Sequence, residues 1–345
     1  MNLLHQPWLE LAVVITVLGS FAVSRVRHPE RVYGWSVAFI GATFGCTVLA
    51  WLAFYLGVPA ELLAARSFQP LLFGRQVFVL DELNAPLVPT VALLHLLVAM
   101  STTRTFMRRF SFSWSMVAET TRLLTFSCKE PWILIALLAI STVPPYVELR
   151  NRRRPTRVYV LHMALFVGLL VAGWSAVTLG GGPQTTAPWW AAVPLLVAIL
   201  VRCGTVPAHC WVTDWFENAS LGIAVLFVIP LSGVYVAVRL VLPIGPGWVL
   251  QSIGLLSLAT AIYAAGMAVI QREARRFFAY LFLSLSSLVL VGLELHTSLS
   301  LTASLCLWFS VILSMGGFGL TLGTLEARFG RLSLSDFHGD RKSVV

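Results

Sequence analysis

The chain has 345 residues, 58% apolar and 11% charged, with mean hydropathy +0.84 and a formal net charge of +9. A soluble domain needs roughly 25% charged residues to face water, so a soluble enzyme is excluded and several membrane spans of about 20 apolar residues each are implied. The basic residues do not gather into the face of a nucleic-acid binder. They sit in short clusters between apolar runs, which is the pattern of membrane topology.

Apolar runs bounded by charge, glycine or proline predict an all-α, polytopic transmembrane bundle of about eleven spans. In chain order these are 8–24, 33–57, 83–103, 110–128, 131–149, 158–179, 188–203, 219–242, 248–270, 277–294 and 299–323. The first run lacks the small-residue cleavage pattern of a signal peptide and reads as a retained span. The stretch within 59–82 is too polar to cross and is expected at the surface. Loops on one side hold Arg25, Arg27, Arg31, Arg104, Arg108, Arg109, Arg150, Arg152, Arg153, Arg154, Arg157, Arg272, Arg275, Arg276, Arg328 and Arg331. The opposite loops hold only Arg66, Arg75 and Lys129. This asymmetry predicts an N-terminus outside the cell inner membrane.

Ionisable residues at membrane depth are costly, so they face a protein interior or a water path. The richest cluster runs Arg202-Cys-Gly204-Thr-Val-Pro207-Ala-His209-Cys-Trp211-Val-Thr-Asp214-Trp-Phe-Glu217. Gly204 and Pro207 break the seventh helix, because proline removes an amide donor and glycine is permissive. A broken helix exposes backbone groups that hydrocarbon does not tolerate and a hydrated cavity does. The alternative reading is an interfacial loop with ordinary capping charges. Along 110–128, Ser111, Ser115, Glu119 and Arg122 recur at helical spacing as one polar stripe. Glu119 and Arg122 are three apart, so they can pair, either lining an interior path or neutralising one another so that a weakly apolar helix inserts.

Other features carry blander readings. Glu148 beside the 150–157 arginines is expected to be an interfacial ion-pair partner, and His162 a hydrogen-bonded core residue. Five cysteines without a repeated spacing (Cys46, Cys128, Cys203, Cys210, Cys306) argue against a disulfide framework. Cys203, His209 and Cys210 lack the tight ligand pairs of a structural zinc site, so no metal is expected.

The motif Arg202-x4-Pro207-x-His209-x-Trp211-x2-Asp214-x2-Glu217 resembles the broken helix of the antiporter-like membrane subunits of respiratory complex I and of Mrp antiporters. Gly233-Val-Tyr235 with Arg239 is similar to the end of the family's next helix. The segment from Tyr263 to Tyr280, Glu326-Ala-Arg328 and Phe337-His338-Gly339 also match, and the likeness covers about 190–339. The resemblance implies an inverted-repeat bundle in which buried groups move protons or small cations. It also implies other membrane subunits and the lipid bilayer as partners, with no cofactor and no catalytic site in this chain. Glu119, Arg122, Arg202, His209, Asp214 and Glu217 are then the path residues.

Arg202 stands where the family has a lysine, and Ala139 and Leu231 stand at its usual glutamate and second lysine. Arginine effectively keeps its proton, so either Arg202 is a fixed charge in an altered path or the subunit does not pump. A membrane subunit of an inorganic-carbon uptake complex, or a non-pumping structural subunit, shares the same residues. The implied organisation is three N-terminal helices in 1–103, a first repeat in 104–242 and a second repeat begun in 243–339 and cut short. Residues 340–345 read as a non-native tail, since their codons can reproduce the start of a sequencing adapter. The natural protein is therefore expected to continue beyond them.

Overall fold

The computed structural model describes residues 4–59, 67–70, 74–102, 110–182, 186–294 and 297–335. Arg66, Arg104, Arg108, Arg109, His296, Arg341, Lys342, the 337–339 motif and the 340–345 tail lie outside these residues. Among the described residues the chain is helical, and strand pairing is limited to the isolated bridges Phe78–Cys128 and Glu273–Ser333.

The helices are α1 (Trp8–Arg25), α2 (Pro29–Tyr55), α3 (Leu87–Ser101), α4 (Phe112–Ser127), α5 (Pro131–Ser141), α6 (Val143–Asn151) and α7 (Arg157–Leu179). They continue as α8 (Trp189–Cys203), α9 (Cys210–Asn218), α10 (Leu221–Val228), α11 (Ser232–Val236), α12 (Gly247–Val269), α13 (Ala274–Glu294) and α14 (Ser298–Phe329). Prolines mark several starts, where a missing amide donor costs nothing: Pro29 opens α2, Pro131 opens α5, and Pro144 and Pro145 lie in the first turn of α6. Thr297 and Ser300 form a reciprocal capping box on α14.

Among the described residues, eight helices are long and apolar enough to cross a membrane, with α5 and α6 counted as one span and Leu221–Val241, which holds α10 and α11, as another. The apolar α3 and α8 are shorter, at 15 residues each, and the less apolar α4 has 16. By length and composition the described residues thus give eight crossing helices, fewer than the eleven spans expected. The seventh rod is broken as expected, between α8 and α9. The eighth, expected to run unbroken through 219–242, is broken too. Pro230 removes an amide donor and Leu231 turns left-handed (φ 54°), after which α11 runs into a π-helical turn at Ala237–Val241.

This doubly interrupted rod, Leu221–Val241, lies at the centre. Its apolar window is 83% buried, against at most 56% for the other seven. Around it α12 packs on α13, α7 on α8, α13 on α14, and α1 on α2 and α4. Outward faces carry bare Phe21, Trp35, Leu161, Leu255 and Ile262, which suits lipid and not water. The segment expected at the surface is held down where it is described. Gln69 is 5% exposed and bridges Glu10 of α1 to the backbone of Val77 and Phe78.

Gly173 of α7 faces Leu195 of α8 so closely that an added Cβ would lie 2.7 Å from Leu195 Cγ. Gly173→Val should therefore force the pair apart and cost about 1–3 kcal/mol, read as a lower unfolding temperature of the detergent-solubilised protein.

Candidate functional site

Two breaks meet at the centre of the bundle. The first follows Cys203, where Gly204 adopts the left-handed conformation (φ 70°) that ends α8. The second is the Pro230–Leu231 turn. They touch at Gly233, where a Cβ would stand 2.6 Å from Cys203 Sγ and 3.1 Å from Arg202 Cγ. Each break strands backbone groups, and side chains from elsewhere satisfy some of them. Trp211 Nε1 donates to the Val201 carbonyl (2.8 Å), Val206 N–H donates to Thr260 Oγ1 (3.0 Å), and Trp308 Nε1 donates to the Pro230 carbonyl (3.3 Å).

Arg202, the penultimate residue of α8, points into this junction and is 6% exposed. Its Nε and Nη2 both donate to Ser232 Oγ (3.1 and 2.7 Å), and Nη1 lies 3.8 Å from Met163 Sδ. The guanidinium also sits over the rings of Phe227 (4.3 Å), Trp211 (5.5 Å) and Phe166 (5.8 Å). Aromatic faces attract a desolvated cation. Among the described residues, no carboxylate comes within ion-pair distance of Arg202.

The stripe on α4 is buried as expected, but its two charges do not pair. Glu119 is wholly buried and, among the described residues, neither carboxyl oxygen has a hydrogen-bond partner. Arg122 instead reaches across to α3, where its Nη1 lies 3.4 Å from Nε2 of the wholly buried His95. Spacing of three residues brings the two side chains to one side of the helix; the position of a partner on α3 decides where the guanidinium goes. A cavity of about 30 Å³, enough for a water or two, runs from the arginine-rich end of the bundle to this point. Ser111, Ser115, Arg122, Glu148 and Phe227 line it. It joins the α4 stripe to the ring that Arg202 covers.

The remaining predicted residues lie apart from this cluster. His209 packs edge-on against Tyr263 (ring centroids 5.2 Å) and near Tyr280 (6.2 Å). Asp214 accepts from Asn218 Nδ2 at 3.0 Å. Glu217 forms an exposed pair with Arg276 at 2.8 Å. Arg275 binds Glu326 through two nitrogens and donates to the Phe216 and Ala219 carbonyls (3.1 and 2.8 Å), closing the end of α9. Pro207 is exposed on the outer face of the first break. Glu148 pairs with Arg152 at 2.6 Å, and His162 Nδ1 lies 2.8 Å from the Val158 carbonyl. Among the described residues no group of three His, Cys, Asp or Glu side chains is placed to hold a metal ion.

His95 and Ser232 enter the site only through the tertiary structure. The signal for His95 was present, an ionisable ring inside an apolar run. Ser232 gave none, because a serine beside a break looks like ordinary turn chemistry. A second ionic group lies at the opposite end of the bundle. Arg239 of the π turn binds Asp81 (2.6 Å) and Tyr235 Oη (3.1 Å), Lys129 joins Asp81 at 3.4 Å, and Tyr235 Oη donates to the Phe126 carbonyl at 2.7 Å. The loop before α3, the end of α4 and the second broken rod are thereby tied together.

These features define a polytopic helical membrane protein with two discontinuous helices crossing at a buried cationic centre. The family profile described as NADH:quinone oxidoreductase/Mrp antiporter, transmembrane, matches residues 161–335. The chain belongs to that family. Among curated proteins it is 22% identical to NAD(P)H-quinone oxidoreductase chain 4 1 of Nostoc sp., covering 94% of this chain and 64% of that protein. It is 26% identical to NADH-quinone oxidoreductase subunit 13 of Thermus thermophilus, covering 81% of this chain and 65% of that one. The chain thus spans less than two thirds of the length of either relative. Its fold is that of a chain in the Mrp complex from Dietzia sp., with TM-score 0.80, 16% identity, and coverage of 96% of this chain and 66% of the other. A chain of respiratory complex I from Thermus thermophilus also shares it, with TM-score 0.78, 20% identity, and coverage of 94% and 73%.

Burial pushes the Asp81 carboxyl up, but the hydrogen bonds and charges of Arg239, Asn84 and Lys129 outweigh it and hold the group below its usual range. A depressed carboxyl adds stability above its ordinary titration point and loses it as the pH falls through the lowered one. Asp81→Asn should cost roughly 1–3 kcal/mol at pH 7. The gap to the unsubstituted protein should close as thermal scans are taken below about pH 4.

Proposed function

We propose that this chain is a non-catalytic membrane subunit of an energy-coupled complex related to NADH:quinone oxidoreductase. It moves protons, or small cations, through its interior while redox chemistry runs in other subunits. The observation that carries this reading is Arg202, a buried cation with a hydroxyl, a thioether and three rings around it and no carboxylate among the described residues. A scaffold is stabler with apolar residues at such a place, because an unpaired buried charge costs several kcal/mol. A charge kept there, at the crossing of two broken helices and over the Phe227 ring that lines a small, mainly apolar cavity, suits a path for ions. The likeness to quinone oxidoreductase chains and subunits supports the kind of complex proposed. Neighbouring membrane subunits and the bilayer are the partners this implies.

The arginine asymmetry of the loops supports an N-terminus on the outer side of a cell inner membrane. Cysteines introduced at the exposed sites Gln76→Cys and Arg153→Cys should react with an impermeant thiol reagent from opposite sides of sealed vesicles, Gln76→Cys from the outside. Labelling of both from one side would overturn the topology. For transport, the complete complex reconstituted in vesicles with a pH dye should lose coupled acidification on the order of tenfold with Arg202→Ala. Unchanged rates in an assembled complex would remove Arg202 from the path.

A further inference from the structure

The centre of the bundle holds two unsatisfied groups of opposite hydrogen-bonding character, and both belong to the surroundings of Arg122. A guanidinium has only donors, so where Arg122 Nη1 meets His95 Nε2, that nitrogen is the acceptor. The neutral ring therefore carries its proton on Nδ1, and Nδ1 has no partner among the described residues. Glu119, three residues before Arg122 on the same helix, offers two buried oxygens that receive nothing. A buried donor without an acceptor and a buried acceptor without a donor, flanking one cation, each carry a desolvation cost that their union would remove.

We propose that His95 and Glu119 are the titratable couple of this chain, and that Arg122 and Arg202 are permanent charges that keep their protons throughout. This rests on the proton-moving role proposed above and assigns the moving proton within it. The charged and titratable groups around the couple are Arg122 on α4 and, through it, Arg202 on α8 and Tyr159 on α7. Neither arginine can serve as carrier, because a guanidinium stays protonated. Tyr159 donates its hydroxyl proton to the Thr142 carbonyl at 2.8 Å, so it is already committed. His95 and Glu119 are what remains.

The step balances on these atoms. The cavity from the arginine-rich end reaches Arg122. When Arg122 turns toward that cavity, His95 Nε2 is freed and takes the excess proton of a hydronium entering from the arginine-rich end, forming an N–H bond as one O–H bond breaks and neutral water is left. The Nδ1–H bond breaks and its proton passes to a Glu119 oxygen, forming an O–H bond. The ring returns to neutrality in its other tautomer, and the carboxylate becomes the neutral acid. His95 is thus a relay and Glu119 the group whose charge changes.

The test uses the complete complex in vesicles with a pH dye, together with infrared spectra of the same complex titrated with pH. Glu119→Gln and His95→Gln should each lower coupled acidification on the order of tenfold or more, and Glu119→Asp should recover part of it. The carboxylic-acid stretch that appears on titration should be missing in Glu119→Gln and shifted in Glu119→Asp. Unchanged acidification in Glu119→Gln or His95→Gln, with the complex assembled, overturns the proposal. So does an infrared titration of Glu119→Gln identical to that of the unsubstituted complex. Should Glu119→Gln fail to assemble, Glu119→Asp decides: an unchanged rate and band overturn the couple. A complex that moves no protons in any form removes the transport role, and the infrared titration still decides where the proton sits.

Discussion

Hydrocarbon offers no hydrogen-bond partner, and that constraint organises this molecule. An unbroken helix answers it alone; two interrupted helices cannot. Each interruption here is completed from a different part of the chain. Trp211 reaches back to the Val201 carbonyl, Thr260 of α12 accepts from Val206 N–H, and Trp308 of α14 reaches the Pro230 carbonyl. The second half of the chain is therefore tied to the breaks as well as packed around them. Gly233 then lets the two breaks come into contact, since any side chain there would collide with Cys203.

Charge is distributed along the bundle in a telling way. At its ends, arginines meet carboxylates: Arg152 with Glu148, Arg275 with Glu326, Arg276 with Glu217, and Arg239 with Asp81. These pairs close helix termini and pin loops. At the centre the rule reverses. Arg202 rests on a serine and aromatic rings, Arg122 on a histidine, and Glu119 on nothing among the described residues. Had stability alone set these positions, pairing would be expected where burial is deepest, because that is where an uncompensated charge costs most. Neutralised ends and an unneutralised middle fit a body that holds its shape at the rims and leaves its interior responsive.

Much of the architecture was legible in the order of residues. Apolar runs fixed the rods, Gly204 and Pro207 announced the first break, and the motif around Arg202 announced the family that the profile match bears out. Pro230 announced the second break as clearly, but it lay within a strongly apolar run, and hydropathy masked it. The stripe of Ser111, Ser115, Glu119 and Arg122 was readable from helical period alone, and three of its members line the cavity.

What periodicity could not supply was the partner of each group. Residues three apart on one helix are neighbours by geometry, so Glu119 and Arg122 looked like a pair; only the packing of α3 against α4 brings His95 within 3.4 Å and draws the guanidinium away. Likewise Ser232 becomes the anchor of Arg202 across 30 positions of chain, and Asp81 that of Arg239 across 158. Local sequence determines which segments enter the membrane and where a helix must yield, because those depend on each residue's own solvation and backbone freedom. Which charge faces which depends on how the rods settle against one another, and that is decided by contacts between residues far apart in the chain.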